Sequence, residues 1–194
     1  MQSTSLARNA GMIGLAGALL WVVSTVMAFS LGLTTPSHDA LYVVNQIMFT
    51  VAMLGITIGI LGLLWAGAVQ GLFGKIAVGL FALAYAVLVL ANPIALVTNN
   101  PDLFLFPIGG LLSLVAAILT GIAVAAEKRW SGWQRFMPLV HAVYVFLALY
   151  LPLFVANQTP GLLSQLFWGV SFGLMSLAVV TSPRVAPAAQ VRTA

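Results

Sequence analysis

Residues 41–69 read LYVVNQIMFTVAMLGITIGILGLLWAGAV and carry no Asp, Glu, Lys or Arg. A helix needs about 20 mostly apolar residues to cross a hydrocarbon core roughly 30 Å thick, because each residue advances about 1.5 Å. This stretch is long enough to cross with residues to spare. The rest of the chain is built the same way: it has 194 residues, 62% of them hydrophobic and only 5% charged. A water-soluble domain carries about 25% charged residues, since its surface must be solvated. Lipid therefore has to cover most of this surface, and in lipid an apolar side chain faces outward without penalty.

Working outward from that stretch, five more segments qualify as spans. They cover about residues 11–33, 73–97, 103–126, 133–156 and 161–181. Breaker-rich turns separate most of them, at residues 34–39, 98–102 and 157–161. A tighter Gln70-Gly71 link joins the second span to the third. The expected fold is all-α, a polytopic membrane bundle of six transmembrane helices arranged as three antiparallel hairpins. Residues 1–181 form the transmembrane domain, and residues 182–194, rich in Ala and Pro, are expected to be a disordered cytoplasmic tail. The first apolar run is too long for a signal-peptide core and is read as a retained span.

The basic residues give the direction. Arg8, Lys75, Lys128, Arg129, Arg135, Arg184 and Arg192 all fall at the chain ends or at the second-to-third and fourth-to-fifth turns. The other three loops have none. By the positive-inside rule both termini are cytoplasmic, and an odd number of spans would break the alternation.

Composition also excludes functions. The net charge of +4 is scattered over loops and tails, so there is no clustered face for nucleic acid. There is no cysteine, and the two histidines, His38 and His141, stand on different sides of the layout. No metal site and no cofactor are expected from such a set.

Sliding the chain by 59 positions aligns Tyr85 with Tyr144, Pro93 with Pro152, Pro101 with Pro160 and Gly110 with Gly169. The third-plus-fourth hairpin thus reads as a copy of the fifth-plus-sixth, with chance matching in a Leu-rich alphabet as the competing explanation.

Polar groups at membrane depth are few. His141 is the one deep ionisable residue, and a neutral packing role competes with any chemical role. Asn45 and Gln46 lie near the outer end of the second span, Asn92 of the third, Tyr150 of the fifth and Gln165 of the sixth. If these five face inward together, they line an outward-opening pocket for a small neutral or lipid-like ligand. The alternative is that the amides hold helices together at about 0.6 kcal/mol per contact and that Tyr150 is an interfacial anchor.

Gly169-Val170-Ser171-Phe172-Gly173 has the G-x-S-x-G form of serine hydrolases, and counting from the last hairpin turn puts Ser171 within a turn of His141 in depth. Against a catalytic pair stand the mid-helix position, the lack of a nearby acid and the packing role of the two glycines. The chain is therefore expected not to be an enzyme, with an intramembrane serine hydrolase using Ser171 and His141 as an alternative. Small-xxx-small pairs, such as Gly55 with Gly59, favour close helix packing. A structural or accessory subunit of a membrane complex is the alternative that ranks ahead of the hydrolase, and the expected partners are membrane lipids and either a second copy or another subunit of such a complex.

The segment Arg129-Trp130-Ser131-Gly132-Trp133-Gln134-Arg135-Phe136-Met137-Pro138-Leu139 resembles one found in small, uncharacterised six-helix inner-membrane proteins of bacteria. The similarity runs on through Tyr144, Pro152 and Trp168-Gly169, roughly the last third of the chain. It implies a bacterial inner-membrane setting and brings no activity, ligand or catalytic residue with it. Read from its own residues, the segment is a basic, aromatic anchor at the interface.

Overall fold

The computed structural model describes residues 2–34, 37, 39–98, 100, 103–156 and 160–182. Its helices are α1 (Gln2–Ser30), α2 (Ala40–Trp65), α3 (Leu72–Thr98), α4 (Leu105–Glu127), α5 (Met137–Val145), α6 (Leu151–Ala156) and α7 (Leu162–Thr181). A 3-10 turn, Gly132–Phe136, leads into α5, and a π turn, Phe146–Tyr150, joins α5 to α6, so these pieces make one span. The described residues contain six helices long and apolar enough to cross a membrane. Of the tail expected at residues 182–194, residues 183–194 lie outside them.

The spans pack in chain order as a closed ring, α7 returning onto α1 and also touching α2. Two differences from the sequence reading have local causes. Helix α1 starts at Gln2, with a span-length apolar segment from Ser5, instead of residue 11, because Ala7 and Ala10 are buried and extend the packed face toward the N-terminus. The fifth span is interrupted because Pro152 has no N–H for the carbonyl four residues back, and the wider π turn just before it absorbs that loss.

Outward-facing side chains are large and apolar, among them Leu19, Leu83, Leu90 and Leu163. With lipid on that side, helix association depends on dispersion and close approach. The α1–α2 seam shows how. A Cβ added at Gly14 would lie 2.8 Å from the Gly59 Cα, and one at Gly17 would lie 2.7 Å from the Ala52 carbonyl oxygen. Only glycine permits the two backbones to come that near.

Backbone-directed hydrogen bonds tie the end of the bundle that holds the α2–α3 and α4–α5 turns. Glu127, at the end of α4, accepts from the Gln70 N–H at 2.6 Å and the Gly71 N–H at 3.2 Å, where a carboxylate suits the start of α3. Arg135 Nε donates to the Ala125 carbonyl at 2.8 Å, with Nη2 donating to the same oxygen. Lys128 adopts φ 52, which turns the chain sharply at the end of α4.

Candidate functional site

Two places in the bundle gather side chains of possible chemical interest. The first lies at its centre. Pro138 sits in the first turn of α5, where its missing N–H costs little, and three residues on His141 points into the core. Ser171 reaches it from α7, with Nδ1 of His141 2.7 Å from the Ser171 Oγ. Both side chains are buried, His141 at 1% exposure.

The hydroxyl of Ser171 has a second partner, since Oγ donates to the Trp168 carbonyl at 2.8 Å. One hydroxyl proton cannot serve both neighbours. While it is given to Trp168, the imidazole must carry its proton on Nδ1 and donate to Ser171, which is the reverse of what a general base requires. Around the pair stand rings rather than charges. Phe172 lies 4.0 Å from the imidazole centroid and Phe81 5.9 Å. Among the described residues no carboxylate is near, because Glu127 is held at the α2–α3 turn.

These rings continue outward as one aromatic column. Tyr85 lies 5.0 Å from Phe172, Trp168 4.0 Å from Trp21, and Trp21 4.7 Å from Phe49. Edge-to-face geometry dominates, worth about 0.5–1.5 kcal/mol per pair beyond simple burial. In the sequence Trp21 and Trp168 are simply residues within apolar spans, and nothing there shows that rings from α1, α2, α3 and α7 meet. A signal existed in Trp168 and Phe172, which are one turn apart on the same helix face.

The second place is a cleft of about 110 Å³ between the outer halves of α2 and α3. Gln46, Thr50 and Val51 line one wall, and Asn92, Pro93 and Leu96 the other. Pro93 explains why it exists. It stands inside α3 and cannot donate to the carbonyl of Val89, so the helix is weakened where it would otherwise close against α2. The Thr50 hydroxyl is turned back onto its own helix, donating to the Gln46 carbonyl at 2.8 Å. The surface offered to a ligand is therefore mostly hydrocarbon.

The five residues expected to share one outer pocket are divided. Gln46 and Asn92 line the cleft. Asn45, rotated by about 100° from Gln46 on the same helix, is fully buried inside the bundle. Tyr150, in the π turn, lies against α4, where a Cβ at Gly110 would come 2.5 Å from its hydroxyl oxygen. Gln165 is half-buried on α7, and its carbonyl accepts from Trp21 Nε1 at 3.0 Å. Thr50 and Pro93 belong to the cleft and were not singled out from the sequence.

The two tyrosines that the 59-position shift aligns have unequal surroundings. Tyr85 is buried in the aromatic column, whereas Tyr144 is half-buried and donates its hydroxyl to the Ser164 carbonyl at 2.7 Å.

The chain is a multi-pass membrane protein with a six-helix bundle fold. No protein-family model matches it, and neither the curated proteins nor the solved structures contain a match.

Proposed function

We propose that the chain is a non-catalytic protein of a bacterial inner membrane that holds a neutral, lipid-like molecule in the cleft between α2 and α3. The observation that carries this reading is the cleft itself, with Gln46 and Asn92 in its walls and Pro93 keeping it open. The positive-inside rule sets that half of the helices in the outer leaflet. An engineered apolar cavity of about 150 Å³ admits benzene. At about 110 Å³ the cleft suits a short length of acyl chain or a comparably small apolar group. The walls carry no charge, so a neutral ligand enters without leaving an ion unpaired in hydrocarbon.

A cleft-filling variant tests this directly. Thr50→Phe places a ring in the space, and native mass spectrometry of protein released from nanodiscs reads retained neutral lipid. Retention should fall about tenfold, a change of about 1.4 kcal/mol. Equal retention by both proteins would remove the cleft from consideration.

The non-catalytic part rests on the Ser171 hydroxyl, which gives its proton to Trp168, and on the fully buried position of His141. A fluorophosphonate probe should leave the protein unlabelled. Labelling that disappears in Ser171→Ala would establish a hydrolase instead.

A further inference from the structure

Four threonines on the helices satisfy their hydroxyls locally, each donating to the carbonyl four residues back: Thr50 to Gln46, Thr57 to Met53, Thr98 to Ile94 and Thr181 to Leu177. Ser24 and Thr25 do not. Both hydroxyls are buried, at 0% and 1% exposure, and neither has a hydrogen-bond partner. Asn45 is also fully buried, with both Oδ1 and Nδ2 unpartnered.

These three residues share a layer. Helices α1 and α2 touch along a row of contacts that runs outward from Gly14 against Gly59, through Gly17 against Gly55, to Trp21 against Phe49. One helical turn further out, about 5.4 Å, brings Ser24 and Thr25 on α1 to the depth of Asn45 on α2. One turn inward of the layer, the Trp21 indole N–H donates to the backbone carbonyl of Gln165 on α7. The layer therefore presents an amide with two donor hydrogens and an acceptor oxygen, together with two hydroxyls that can donate or accept. It carries no charge.

We infer that Ser24, Thr25 and Asn45 form an enclosed hydration site that binds water within the outer half of the bundle. The occupant must be small, because all three side chains are closed off from the surface. It must be neutral, because no ionic group balances a charge there. It must both give and receive hydrogen bonds, because the site offers both. Water meets all three conditions, and a buried water typically makes about three hydrogen bonds. This site is distinct from the lipid cleft, which lies on the other flank of α2, and does not depend on it.

Magic-angle-spinning NMR on the perdeuterated, amide-reprotonated full chain in lipid nanodiscs, labelled with ¹⁵N-asparagine, tests the inference. Asn45→Gln removes one side-chain resonance and so identifies it. That resonance should receive magnetisation from water, as the exposed Asn9 does, although Asn45 is closed to bulk solvent. Ser24→Ala combined with Thr25→Val keeps the amide but takes away the hydroxyl partners, and transfer should fall by about threefold or more. Absence of transfer at Asn45 while Asn9 shows it would overturn the site. Unchanged transfer in the double variant would equally overturn the three-residue arrangement.

Discussion

On one flank of α2, Gly55 and Gly59 let the backbone of α1 approach to contact. On the other flank, Gln46 and Thr50 face Pro93 and Leu96 across an open cleft. Both flanks belong to a single uncharged helix with lipid beyond it, so hydrophobicity cannot account for the difference. Side-chain size and backbone hydrogen bonding do. Where glycines face glycines, dispersion acts over a long close seam. Where a proline interrupts the partner helix, the seam parts. At the opposite end of the α2–α3 pair, Glu127 closes the turn between the helices.

Four substitutions break or sharpen that contrast. The largest effect is expected from Gly59→Leu, because a Cβ there already meets the Gly14 Cα at 2.8 Å. Overpacking of this kind should cost about 3 kcal/mol, seen as a large fall in the thermal aggregation midpoint in detergent. Next comes Glu127→Ala, which strips the two amides of the α2–α3 turn of their acceptor. A loss of about 2 kcal/mol is expected, with faster hydrogen exchange at Gln70 and Gly71 as the readout. Pro93→Ala works on the cleft in the opposite sense. It returns an N–H to the Val89 carbonyl, should stabilise α3 by about 1 kcal/mol and should reduce retained lipid. The smallest effect is expected from Gly79→Leu, since nothing lies within 4 Å of a Cβ at that position. Stability should change by less than about 0.5 kcal/mol, with the thermal midpoint close to unchanged, separating glycines that create a seam from one that does not.

How much of this was legible in the sequence depends on which coordinate is asked for. Depth was legible. Counting from a hairpin turn brought Ser171 to one turn from His141, and the two side chains do meet. Counting also brought Asn45, Gln46 and Asn92 to one outer level. Rotation about each helix axis was not legible. In water, a polar stripe marks the outer face of a helix, but in lipid the outer face is as apolar as the core. Nothing in the sequence therefore announced that Gln46 enters the cleft while its neighbour Asn45 turns inside. The same ambiguity hid the unequal fates of Tyr85 and Tyr144, which match in the repeat but not in burial.

By itself the sequence determined the medium and the number of crossings, because ionic groups are too costly in hydrocarbon to be placed anywhere but its edges. Only the tertiary structure decided that Ser171 gives its proton to a carbonyl, that the rings of α1, α2, α3 and α7 form one column, and that a cleft opens beside Pro93. The reason is physical: these outcomes depend on contacts between neutral groups on different helices, worth about a kilocalorie each, whose partners are set by how the helices rotate and approach.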